Sequence, residues 1–178
     1  MVNGVGLYNG FGFLLDTNND GSNDRSMGFG PPHNDWTPLA GDFDGDGEAE
    51  LGLKHLHRFF LHQDKDGGGV NVFALGPPAN DWTPVTGDFD GDGEAGVGLK
   101  HGNRFFLDND KDGEADEEVV FGPADNDWTP ITGDFDGDGE AGIGLKDGNR
   151  FFLDNDKDGE ADTVFGFGPP DNYWQPLV

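Results

Sequence analysis

The chain has 178 residues, enough for one domain of ordinary size, and its 33% hydrophobic content with 16 Phe and 4 Trp suffices to fill a core. Against 10 Lys and Arg stand 36 Asp and Glu, a formal charge of −26 that repels nucleic acid and anionic membranes. The absence of Cys excludes a disulfide framework and thiolate metal sites, and no apolar run reaches the roughly 18 residues of a membrane span or reads as a signal peptide.

The acids are not spread evenly but cluster in short loops between aromatic runs, as expected of a chain that cations complete. Trp36, Trp82, Trp128 and Trp174 stand 46 residues apart, and the residues around them repeat with them. A period of this length marks an array or ring of supersecondary units. The segment Asn103 to Asp116 recurs unchanged at Asn149 to Asp162, so the array was amplified recently or made deliberately. The single domain, 1–178, divides into repeats of approximately 1–50, 51–96, 97–142 and 143–178.

In chain order, the first predicted strand is Val5 to Tyr8. Acidic loops of the form D-x-[DN]-x-D-G-x-x-[DE] then alternate with strands. Ca²⁺ takes six to eight oxygens at about 2.3 to 2.6 Å, and this spacing supplies them. Carboxylates at positions 1, 3 and 5 converge as the chain curls, Gly at 6 permits the turn, position 7 offers its carbonyl and an acid at 9 closes the shell. The first loop is Asp16, Asn18, Asp20, Ser22, Asp24 and the second Asp42, Asp44, Asp46, Glu48, Glu50. A loop beginning at His62 keeps Asp64 and Asp66 but has Val70 at position 9, and reads as degenerate. At Asp88, Asp90, Asp92 the ninth residue is Gly96, which predicts weaker binding with Glu94 or water filling the gap.

The third copy shows four strands, Val97 to Lys100, Arg104 to Asp108, Val119 to Gly122 and Trp128 to Phe135, separated by Gly, Asn, Asp and Pro clusters. Its complete loop is Asp108, Asp110, Asp112, Glu114, Asp116. The loop at Asp134, Asp136, Asp138 again ends on Gly, at Gly142, with Glu140 or water as the filler. The last complete loop is Asp154, Asp156, Asp158, Glu160, Asp162. For a lone Asp-Gly pair an ordinary polar turn would be the better reading, but seven aligned copies, four with every ligand position filled, favour calcium.

Four strands in about 46 residues is the size of a propeller blade. The ends agree with a ring. Met1 aligns with Gly93 and Val178 with Thr132, so only the six residues matching Gly133 to Asp138 are missing from four full periods. The expected fold is therefore an all-β four-bladed propeller closed by pairing the last strand, Trp174 to Val178, with the first. Half of an eight-bladed ring formed by a dimer is the alternative.

The G-D-F-D-G-D-G runs at Gly41 to Gly47, Gly87 to Gly93 and Gly133 to Gly139, together with F-G-P at Phe29 to Pro31 and Phe121 to Pro123, resemble the FG-GAP and VCBS-type repeats of integrin-like β-propellers. The resemblance covers essentially the whole chain. It implies Ca²⁺ in the acidic hairpin loop of each blade and a role in adhesion, ligand recognition or scaffolding outside the cell or at its surface. Two acidic loops per repeat, and blades shorter than those of integrins, depart from that pattern.

The expected function is non-catalytic, since no nucleophile elbow, phosphate loop or unique acid/base pair rises above the repeat background. Calcium is the expected cofactor, several ions per chain, with a protein or glycan as further partner and a monomer or homodimer as the assembly. A second reading is a purely structural, engineered or amplified repeat with no ligand beyond Ca²⁺. A third is a carbohydrate-binding accessory domain of an enzyme. The Trp and R-F-F-L segments are read as packing between blades, Arg58, Arg104 and Arg150 as partners of carboxylates, and the histidines as scattered out of register.

Overall fold

A computed structural model describes residues 5–16, 20–64, 68–170 and 176. The chain is all-β and forms four blades of a β-propeller. Blade I contributes β1 (Val5–Tyr8), β2 (Gly12–Asp16) and β3 (Arg25–Gly28). Blade II is β4 (Thr37–Gly41), β5 (Glu50–His55), β6 (Arg58–His62) and β7 (Val70–Ala74). Blade III is β8 (Thr83–Gly87), β9 (Gly96–His101), β10 (Arg104–Asp108) and β11 (Glu117–Val120). Blade IV is β12 (Thr129–Gly133), β13 (Gly142–Asp147), β14 (Arg150–Asp154) and β15 (Thr163–Gly166). Each sheet is an antiparallel meander in sequence order. The proposed closure through Trp174 to Val178 falls outside the described residues.

The W-T-P segment opens each complete blade. Its Pro sits second in an inner strand, opposite Leu53, Leu99 or Leu145, on the ladder's least encumbered edge. Inner strands β4, β8 and β12 are successive neighbours, so these blades share one axis. Threonine hydroxyls stitch them together: Thr86 Oγ1 donates to Ala40 O at 3.0 Å and Thr132 Oγ1 to Thr86 O at 2.6 Å.

The second strand of each complete blade is covered on both faces. It reads as an apolar run broken by Gly, where a half-exposed strand would alternate. Its apolar residues pack against the preceding blade, so the core is a series of seams. Phe13 of blade I meets Leu51 and Leu53. Phe59, Leu61 and Leu75 of blade II meet Val97 and Leu99. Phe105, Leu107, Val119 and Phe121 of blade III meet Ile143 and Leu145. The F-G-P turn lies directly over the next blade's leucine. Gly122 has φ +83°, and a Cβ there would come within 2.7 Å of Leu145 Cδ1.

The described tryptophans border the seams, but their rings stack within their own blades and not between blades as expected. Trp36 stacks on His55 and Phe60, both at 4.9 Å between ring centroids; Trp82 stacks on His101 at 4.6 Å and Phe106 at 5.1 Å; Trp128 stacks on Phe152 at 5.0 Å. This corrects the reading of the histidines as out of register. His55 and His101 are one period apart and play the same part, lidding the indole. Arg104 pairs with Glu118, whereas Arg58 and Arg150 lie over the rings of Phe60 and Phe152.

Candidate metal centres in the acidic loops

Every described acidic loop is organised by its own backbone. Position 1 accepts hydrogen bonds from the amides that follow it. Gly47 N donates to Asp42 Oδ2 at 2.8 Å, Gly113 N to Asp108 Oδ2 at 2.9 Å, and Gly159 N to Asp154 Oδ2 at 2.9 Å. The amide at position 7 donates to the carboxylate at position 5, as from Glu48 to Asp46 and from Glu114 to Asp112, both at 2.8 Å. Acids at position 9 fold back onto the amide at position 2: Phe43 N to Glu50 Oε2 at 2.9 Å, Asn109 N to Asp116 Oδ2 and Asn155 N to Asp162 Oδ2, both at 2.7 Å. Asp-Gly turn chemistry thus curls the loops and sets the carboxylates facing one another.

Five triads result, each offering oxygens within 4.8 Å of one another: Asp42, Asp44, Glu50; Asp88, Asp90, Asp92; Asp108, Asp110, Asp116; Asp134, Asp136, Asp138; and Asp154, Asp156, Asp162. Loops with an acid at position 9 converge through positions 1, 3 and 9, and loops ending on Gly through 1, 3 and 5. The first loop follows the same design as far as it is described, with Gly21 N donating to Asp16 Oδ2 and Ser22 N to Asp20 Oδ1, both at 2.8 Å. Asn18 lies outside the described residues, as does Asp66 of the loop that begins at His62.

Burial sorts these groups. Asp108 and Asp154 are fully buried, and burial pushes each up from 3.8 to about 6 against the lowering effect of the amides they accept. Glu50 is also buried, and burial first, then the charges of Asp44, Asp42 and Asp46, push it up from 4.5 to about 7. Its Oε1 and the Oδ1 of Asp42 are buried without a hydrogen-bond partner. Two orphaned carboxylate oxygens in one triad are an arrangement that a hard cation satisfies.

Glu94 and Glu140 do not fill the empty ninth positions. Lys111 Nζ holds Glu94 Oε2 at 3.1 Å and Ala95 O at 3.2 Å, and Lys157 Nζ holds Glu140 Oε2 at 3.4 Å. Each lysine lies inside the second loop of its blade, so the two loops of a blade are side by side. That closeness explains the glycines. A Cβ on Gly96 would approach Asp108 O to 2.9 Å, and one on Gly142 would approach Asp154 O to 2.7 Å. In blade II both partners change together: Glu50 replaces the glycine and His62 replaces the aspartate. His62 is buried with neither ring nitrogen partnered, and burial lowers its pKa. Blade II, the described blade with an acid at the ninth position of its hairpin loop, is thus also the one whose second loop begins on His rather than Asp. The sequence signal was the matching of Glu50 with His62 against Gly96 with Asp108.

At the other end of the blades, Trp82, Lys100, His101, Asp127 and Trp128 line an open cleft of about 360 Å³ between blades III and IV. Lys100 Nζ donates to Asn126 O at 3.3 Å there, and burial lowers its pKa.

No protein-family model and no curated protein matches the chain. Among solved structures, the crystal structure of BBS1N in complex with ARL6DN, soaked with lead, is similar at 9% identity with a TM-score of 0.44, over 75% of this chain and 43% of that one.

Proposed function

We propose that the chain is a non-catalytic, calcium-stabilised propeller module of the FG-GAP or VCBS kind, used for adhesion, ligand recognition or scaffolding outside the cell. The observation behind this reading is the triad Asp42, Asp44, Glu50, where a buried glutamate and a half-buried aspartate each keep a buried oxygen without a partner. Asp42, Asp44, Glu50 and their counterparts in the other loops would hold the ions. A bound Ca²⁺ supplies two positive charges that offset carboxylate repulsion. Because such ions bind only the organised loops, their binding free energy adds to folding free energy. Extracellular sites of this type commonly have dissociation constants of about 10⁻⁴ to 10⁻³ M, which places the working protein where calcium is plentiful.

The test is thermal unfolding in chelator and then across a Ca²⁺ titration, against KCl of equal ionic strength. A rise in Tm specific to Ca²⁺ supports metal-linked folding. An equal rise in KCl would reduce the effect to general screening and remove calcium from the function.

The purely structural reading is favoured by the identity of Asn103 to Asp116 with Asn149 to Asp162, since a ligand site would mark one blade apart from the others. Glycan-array binding that is lost on replacing Trp82 or Trp128 at the cleft would favour the carbohydrate reading instead.

A further inference from the structure

Three seams join the four blades in chain order, and at each the leucine in the later blade's second strand is buried. Leu53, Leu99 and Leu145 are fully covered by the blade before them. Leu7, their counterpart in blade I, is 68% exposed. On the opposite face, Val119 and Phe121 of blade III are 4% and 3% exposed beneath blade IV. Their counterparts in blade IV, Phe165 and Phe167, are 43% and 74% exposed. The faces that would form a fourth seam are thus both bare, although one chain carries both of them.

The blade IV face is already in the shape that receives a neighbour. Phe151 stacks on Phe165 with centroids 5.1 Å apart, as Phe59 stacks on Phe73 at 5.4 Å. Phe167 N donates to Asn149 O at 2.8 Å and Asn149 Nδ2 to Gly168 O at 3.2 Å, as Phe121 N does to Asn103 O at 2.8 Å and Asn103 Nδ2 to Gly122 O at 3.2 Å. Gly168 has φ +87°, beside +83° at Gly122. The surface that best fits this seat is blade I, whose Leu7 stands where Leu145 stands in blade IV. Had the chain's own blade I taken the seat, Leu7 and Phe167 would be covered like their counterparts. Among the described residues, four steps of this blade-to-blade packing leave both faces uncovered.

We propose that the apolar face of blade IV receives blade I of a second copy of this chain, so that two chains, joined head to tail at two equivalent seams, complete one ring of eight blades. The contact on each chain is heterologous, blade IV to blade I, and closure after two copies leaves no apolar face for a third.

Light-scattering mass of the full chain in millimolar Ca²⁺, followed across a dilution series, tests this. The expected mass is twice the 19.1 kDa of one chain, falling to one chain on dilution. Leu7→Asp and Phe167→Asp should each give the single-chain mass while retaining a cooperative unfolding transition, because the three internal seams are untouched. Mixing the two variants should restore the pair, since one brings an intact blade IV face and the other an intact blade I. A wild-type mass of one chain at every concentration, with Leu7→Asp lowering Tm sharply, would overturn the proposal in favour of closure within one chain. A ladder of masses above two chains would overturn closure at eight blades. Repeating the wild-type series in chelator, at a temperature where the chain is still folded by its Trp fluorescence, separates failure of this proposal from failure of the metal reading.

Discussion

Replacing Glu50 with Gln should change the stability of the protein in opposite directions with and without calcium. Without metal, burial holds the Glu50 carboxyl at about 7 in the folded chain against 4.5 in the unfolded chain. Below the unfolded value both states carry the proton and the site costs nothing. Between 4.5 and about 7 the folded state holds a proton that the unfolded state has lost, so stability falls as pH rises and the fall is complete above about 7. At about 1.4 kcal/mol per pK unit the gap corresponds to about 3 kcal/mol at most. Asp108 and Asp154, raised from 3.8 to about 6, add their own decline at lower pH in wild type and variant alike, so the difference between the two proteins isolates Glu50. Urea unfolding followed by Trp fluorescence, at about pH 5 and about pH 8 in chelator, should show Glu50→Gln gaining on wild type as pH rises. In Ca²⁺ the order should invert, because the amide has lost the charge that the ion needs. Parallel pH profiles in chelator, or the same ranking in both conditions, would refute the assignment of Glu50 as a strained carboxylate waiting on a cation.

The double replacement Asp110→Asn, Asp112→Asn should lower Tm in millimolar Ca²⁺ and have much less effect in chelator; equal losses in both would remove those side chains from the metal's shell. Phe105→Ala, at a fully buried seam position, should cost about 3 to 5 kcal/mol in chemical unfolding, and Phe151→Ala, at the half-covered counterpart, clearly less when measured on the dissociated single chain. Leu56→Gly should stabilise the chain by up to about 1 kcal/mol, since Leu56 holds φ 55° where Gly102 and Gly148 occupy the same turn at 59° and 57°. Gly122→Ala should destabilise it measurably by thermal unfolding, because the added methyl meets both a left-handed backbone and Leu145.

The fold was legible because strand spacing and turn residues are local signals, and four copies of them average out the noise of any one. The β10 strand matches its expected span, Arg104 to Asp108, while β12 is shorter than the predicted Trp128 to Phe135: Trp128 turns to stack on Phe152, and Asp134 already opens the acidic loop. The triads were legible for the same reason, since Asp at alternate positions before Gly curls in any context. What the spacing could not show is how the two loops of one blade lie against each other. The closeness shows in the structure, where Asp108 O lies within 2.9 Å of a Cβ built on Gly96. Lys111 and Lys157 escaped notice because their partners, Glu94 and Glu140, belong to another loop. The match of His55 with His101 was available by counting alone.

The hydroxyl stitches of the inner strands each span one period, from Thr86 to Ala40 and from Thr132 to Thr86. A contact of that kind asks only that the neighbour be one unit back, and is indifferent to which unit it is. Unequal recombination between the near-identical tracts at Asn103 and Asn149 would therefore delete or insert a whole blade without leaving a single seam mismatched. Such a gene changes length in steps the protein tolerates, and selection among those lengths acts on the one junction that must still close.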